Sequence, residues 1–119
     1  MQDTTYNIAD CNTVTLHDDV NNHLEYSYIL IGDYKIVTVN YVRKNNAYAY
    51  PPNDTPILVG YEIPPNFRPN TTLFVQTTNK NIQVYLKSDG SFTIRNTSSS
   101  SVNFAPYGSF TYIVPNRNI

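Results

Sequence analysis

Cysteine is nearly missing from this chain. Cys11 stands alone, so no disulfide forms within it, and stability must come from packing or from association. A single thiol also fits synthesis in a reducing cytoplasm. Tryptophan is absent, which leaves 11 Tyr and 5 Phe to supply the aromatic packing. Charge is scarce too: 14% of residues are charged, against about 25% in an average domain. The formal net charge is −1 and no run of Lys or Arg occurs, which argues against a nucleic-acid partner and against an anionic membrane surface. The longest apolar stretch, Tyr28 to Gly32, is far too short to span a bilayer.

Enzyme chemistry has no foothold. There is no nucleophile elbow, no Cys–His pairing signal and no Gly-rich phosphate loop. A glycosidase needs two carboxylates flanking a bond. Here Asp18, Asp19, Glu25, Asp33, Glu62 and Asp89 lie mostly beside turns, where solubility accounts for them. His17, Asp18, Asp19 and His23 match neither zinc nor calcium spacing and read as a surface turn. No metal or cofactor is expected, and the chain is read as a non-enzyme. Asn53-Asp54-Thr55, Asn70-Thr71-Thr72 and Asn96-Thr97-Ser98 fit the glycosylation acceptor pattern. With 16 Asn and many Ser and Thr, such matches arise by chance.

What the chain does contain is strand patterning. Helical periodicity is missing, and β-branched and aromatic residues alternate with polar ones. Strands are predicted at Thr13 to Leu16, Leu24 to Ile31, Lys35 to Val42 and Pro56 to Glu62. Others follow at Leu73 to Thr77, Ile82 to Lys87, Phe92 to Arg95, Val102 to Phe104 and Gly108 to Val114. Val37, Val39 and Tyr41 share one face; Ile82, Val84 and Leu86 share another, with Phe92 and Ile94 after them. Turns are predicted at Gly32-Asp33, at Asn79-Lys80-Asn81, whose Asn residues tolerate left-handed conformations, and at Ser88-Asp89-Gly90. Asp18 to Glu25 could begin a helical turn, since acidic residues lead it, but it is not counted as one. About nine short strands with turns between them predict an all-β fold, an antiparallel β-sandwich of jelly-roll-like type. Residues 1–119 read as a single domain.

Glu62-Ile63-Pro64-Pro65-Asn66-Phe67-Arg68-Pro69-Asn70 is the most distinctive segment. Its prolines deny backbone donors, so it cannot be a central strand and reads as a rigid crossover between two sheets. Phe67 should plug a core edge, and Arg68 should reach a carboxylate or a carbonyl. The segment resembles the Leu-Pro-x-Gly-Phe/Tyr-Arg-Pro crossover in head domains of bacteriophage tail fibre and baseplate proteins. Gly32-Asp33-Tyr34-Lys35-Ile36-Val37-Thr38-Val39 is similar to the strand that precedes it there. Leu86-Lys87-Ser88-Asp89-Gly90-Ser91-Phe92-Thr93-Ile94 and Gly108-Ser109-Phe110-Thr111-Tyr112 look like the hairpin and the final aromatic strand. The likeness covers roughly Leu16 to Val114. It departs where the family carries a Trp-containing opening turn, for which this chain has Leu16 to Asn22, and where Pro65-Asn66 replaces a residue followed by Gly.

The resemblance implies a virion component, at the tail tip or baseplate. It implies a homotrimer that contacts other tail proteins and attaches to a host surface glycan, a wall polysaccharide or teichoic acid. The chain would then be the C-terminal piece of a longer protein, made in the host cytoplasm and released by lysis, since Met1-Gln2-Asp3-Thr4 is no signal peptide. A purely structural trimerising or anchoring domain, and a carbohydrate-binding module of an enzyme, are the alternatives.

Candidate ligand residues are read from side-chain chemistry. Sugars take aromatic faces under their C–H groups and planar polar groups at their hydroxyls. The loop from Arg43 to Asp54 offers both, through Arg43, Asn45, Asn46, Tyr48, Tyr50 and Asp54. Tyr48 and Tyr50 are two residues apart and would share a face in an extended chain. The other reading is that both tyrosines pack on the sandwich or on a neighbouring subunit. Asn96 to Ser101 with Asn103 and Tyr107 forms a second polar and aromatic group, for which a solvated connection is the alternative.

Overall fold

The computed structural model describes residues 12–116; Cys11 and the leader reading of Met1 to Thr4 lie outside them. The described chain forms ten strands: β1 (Asn12–Asp18), β2 (Asn22–Ile31), β3 (Tyr34–Arg43), β4 (Ala49–Tyr50), β5 (Asn53–Ile57), β6 (Leu73–Gln76), β7 (Ile82–Leu86), β8 (Phe92–Asn96), β9 (Val102–Asn103) and β10 (Tyr107–Pro115). One antiparallel sheet has the order β1-β2-β3-β10, and the other has β5-β8-β7-β6. β4 and β9 make a small ribbon beside them. The fold is an all-β antiparallel sandwich, as the alternation predicts.

The core follows from strand alternation. Leu24, Val37, Val39 and Tyr41 of the first sheet are fully buried, as are Ile82, Val84, Leu86 and Ile94 of the second. Phe92 and Phe110 join them. Burying each such side chain stabilises the fold by about 1.5–3 kcal/mol before chain entropy is counted. Edge strands carry the irregular residues. β1 has a bulge between Thr15 and His17, which turns His17 inward opposite Leu24 and onto the Tyr61 ring at 4.5 Å. β5 is an edge strand and so tolerates Pro56 within it.

Several local expectations need correction. The strand predicted from Pro56 to Glu62 ends at Ile57, because Leu58 (φ 51°) and Gly60 (φ 88°) bend the chain into a turn closed by the Tyr61 N–H on the Leu58 carbonyl. The Asn79-Lys80-Asn81 turn forms as expected, and neither Asn79 nor Asn81 uses the positive φ that asparagine tolerates. Instead the Asn79 carboxamide oxygen accepts the Asn81 N–H, and the Thr77 hydroxyl donates to the Ile82 carbonyl at 2.8 Å. The proline-rich segment does not join two sheets. It carries the chain from β5 to β6, the opposite edges of one sheet, across the end of the sandwich. There Ile63 is fully buried, and the Phe67 ring lies 5.0 Å from that of Tyr26 and 4.8 Å from that of Tyr28. The Tyr112 hydroxyl donates to the Phe67 carbonyl. Arg68 does reach a carbonyl, that of Ile63, at 2.7 Å.

Asp18 to Glu25 is a hairpin, not a helical turn. The Asp19 carboxylate accepts the Asn21 and Asn22 N–H groups, both at 2.7 Å, and these backbone bonds hold its pKa down at about 2. His23 faces two carboxylates, with Nε2 2.7 Å from Glu25 and Nδ1 3.1 Å from Asp18. Both ring nitrogens must donate, so the imidazolium is favoured and its pKa is raised, by Glu25 first and then by Asp18. A raised folded value means that the contribution is whole below the ordinary imidazole pKa and is lost as pH rises through the folded value. Thermal unfolding should therefore show stability falling above about pH 6.5. A His23→Gln chain should show a flatter profile over that interval. Parallel profiles would mean that the pair is inert.

Candidate functional site

The only two buried side-chain polar atoms without a hydrogen-bond partner among the described residues are Arg43 Nε and Tyr50 Oη. Both residues line one pocket, of about 210 Å³, together with Asn22, Tyr48 and the stretch Thr55 to Leu58. Buried polar groups are nearly always satisfied, so two orphans in one recess call for an explanation.

The recess forms where three pieces of chain meet. Arg43 ends β3, and its N–H is bound by the Pro106 carbonyl at 2.8 Å. The next residues are tied to the first hairpin: the Lys44 N–H donates to the Asn21 carbonyl at 2.7 Å, and Asn45 Nδ2 to Asn21 Oδ1 at 2.8 Å. Pairing of β4 with β9 then fixes Tyr50, with Tyr48 just before the ribbon. Buried Asn96 holds the Tyr50 carbonyl at 2.8 Å through Nδ2. Tyr41 donates its hydroxyl to Asn22 Oδ1 at 2.7 Å, and the Tyr50 hydroxyl lies beside it in an interaction short of hydrogen-bond geometry. Burial raises the pKa of both phenols, so both stay neutral across the physiological range.

Arg43 donates through Nη2 to the neutral carboxamide of Asn45 at 3.2 Å, and its guanidinium lies 6.0 Å from the Tyr48 ring centroid. Tyr48 is 43% exposed and meets the buried Tyr50 ring edge-on at 4.8 Å. The two tyrosines thus touch, but they do not present one shared face. Leu58, on the pocket wall, has φ 51°, a conformation that L side chains adopt at a cost. The recess combines an exposed aromatic ring, a guanidinium without a carboxylate partner and a phenol. None of its lining residues carries a carboxylate. Such a set can bind and orient a polar ligand, but it offers no acid–base pair.

No family model, no characterised protein and no solved structure matches this chain. Function must therefore be argued from the site.

Of the residues named from sequence, Arg43, Tyr48 and Tyr50 come together. Asn45 braces the loop, accepting the Ala47 N–H at 3.1 Å, and Asn46 contributes its carbonyl to Asn103 Nδ2 at 3.2 Å. Asp54 lies elsewhere: strand alternation turns it outward, where it pairs with Arg95 Nε at 2.7 Å. Tyr107 is also apart, 56% exposed on β10 beside Val75 to Thr78. Asn22 and the β5 stretch Thr55 to Leu58 were missed as lining residues. Thr55 to Leu58 directly follow the loop but carry no sugar-binding pattern, and Asn22 lies in the first hairpin, where no local pattern marks it.

Proposed function

We propose that this domain binds a saccharide, and that the pocket of Arg43, Tyr48 and Tyr50 receives an anionic sugar unit. The observation that carries the reading is the Arg43 guanidinium, which has no carboxylate partner among the described residues, beside the exposed Tyr48 ring in that pocket. A carboxylate or phosphate would meet the Arg43 guanidinium, and the Tyr48 ring would cover a C–H face, with the sealed Tyr50 ring as the floor behind them. The volume is below the roughly 300–1,000 Å³ of drug-sized sites and suits one sugar ring.

The resemblance extends this reading to attachment of a phage tail tip to a host wall polysaccharide or teichoic acid. Phosphate-bearing glycans of that kind suit the unpaired guanidinium. A homotrimer finds support on the outer face of the first sheet. There the register aligns Ile29 with Ile36 and Ile113, and Ile31 with Tyr34 and Pro115, in two rows without charge. Ile113 is 60% exposed and Tyr34 56%. Three copies would turn a weak contact into useful avidity. A structural connector would share this face and lack the binding; a module working alone would be monomeric.

The test is binding of the purified chain to a glycan array and to intact candidate host cells. Sedimentation is measured alongside. Tyr48→Ala should weaken binding by about tenfold, the share expected of one aromatic contact, and leave the chain folded with a melting temperature lower by only a few degrees, the loss of the edge contact with Tyr50. Arg43→Gln should abolish the salt dependence of binding. Wild-type affinity in both variants would remove the pocket from the reading, and a sedimenting monomer would remove the trimer.

A further inference from the structure

We propose a second saccharide site, on the outer face of the sheet β5-β8-β7-β6, that takes a neutral oligosaccharide laid across the strands. The inference rests on the reading of this domain as a saccharide binder. It adds a site with a different ligand charge.

Alternation sends Phe74 and Gln76 of β6, Gln83 and Tyr85 of β7, Arg95 of β8 and Asp54 of β5 to the outside. Phe74 is 55% exposed, while its neighbours Leu73 and Val75 face the core. Phe74 stacks on Tyr85 at 5.2 Å with an interplanar angle of 20°, and the Arg95 guanidinium sits 4.8 Å from the Tyr85 ring. Planar groups therefore follow one another across the sheet.

The same side chains lock each other by hydrogen bonds. Arg95 grips Asp54 with two bonds, at 2.7 and 3.2 Å, and its Nη1 donates to Tyr85 Oη at 3.2 Å. Tyr85 Oη donates to Gln83 at 3.1 Å, and Gln83 Nε2 donates to Gln76 Oε1 at 3.2 Å. Side chains ordered in advance lose little entropy when a ligand arrives. Arg95 and Asp54 cancel in charge, and the remaining groups are carboxamides, a phenol and rings. That set complements a neutral polyhydroxylated chain rather than an ion. Three interstrand spacings give the platform a width of about 14 Å, the reach of a short oligosaccharide. At the Asp54 end it runs into a hollow of about 540 Å³ lined by Asn53, Asn96, Thr97 and Ser98, which gives the chain a place to end.

The experiment is amide NMR of the whole chain, titrated with neutral hexasaccharides of glucose, mannose, galactose and N-acetylglucosamine. At least one should move the amides of Phe74, Tyr85 and Arg95 in a saturable way. Phe74→Ala should weaken that response by about tenfold while the spectrum stays dispersed. Tyr48→Ala should leave it intact, so loss of the pocket and loss of the platform are read separately. If none of the four sugars shifts those amides, or if Phe74→Ala binds as tightly as the wild type, the platform is only a structural stack and the proposal falls.

Discussion

A Gly90→Ala chain is expected to lose about 4 kcal/mol of stability, a large part of the total for a domain of this size. Two costs combine. Gly90 has φ +86°, and an L side chain held in that region costs about 1–2 kcal/mol. A Cβ there would also lie 2.6 Å from the Ile63 carbonyl oxygen and 2.7 Å from Arg68 Nε. Neither can move freely. The Ile63 N–H donates to the Gly90 carbonyl at 3.0 Å, and the Ile63 carbonyl accepts Arg68 Nε. Forced repacking of such a contact adds about 1–3 kcal/mol. Gly60→Ala is the control. Gly60 has φ +88° with nothing within 4 Å of a new Cβ, so it should lose only the backbone cost. Urea unfolding of both chains measures the difference. Equal losses would show that the proline-rich segment is not clamped on the β7–β8 turn.

Tyr50→Phe is expected to unfold at a higher temperature, yet to bind saccharide as the wild type does, because its hydroxyl is closed to solvent. The hydroxyl is buried with no well-formed hydrogen bond, only a poorly aligned approach to the Tyr41 hydroxyl, so deleting it stabilises by about 1 kcal/mol. For a chain of this length that is a rise of roughly 4 °C. The ring itself must stay, because Tyr50 is 1% exposed and fills the core. Stability then moves at one atom while binding, which uses Arg43 and Tyr48, stays as it is. Calorimetric melting and titration with the best-binding glycan decide it. A lower melting temperature would mean that the hydroxyl is already paired in the fold.

Much of the fold was legible because strand burial has a period of two. Val37, Val39 and Tyr41 announce an inward face in the chain itself, and so do Ile82, Val84 and Leu86. Ser88-Asp89-Gly90 announces its turn through its glycine and through the Asp89 cap on the Ser91 N–H at 3.0 Å. The end of β5 was not legible. Ile57-Leu58-Val59 reads as a continuing apolar strand, and only the bend at Leu58 breaks it. The site was half legible. Tyrosine, arginine and asparagine in one loop speak of sugar chemistry, and Arg43, Tyr48 and Tyr50 do meet. Asp54 shares that loop but belongs to another surface, since its partner Arg95 lies 41 residues away.

The chain by itself determined the all-β class, the inward faces and the main hairpins, because each depends on residues within a few positions of one another. Tertiary structure alone decided which edge each strand took. It sent the proline segment from one edge of a sheet to the other, and it left Tyr50 Oη and Arg43 Nε unpaired in a shared recess. The reason is physical: alternation acts through neighbours in sequence, whereas sheet order and an orphaned hydrogen bond depend on which distant strands come to lie side by side.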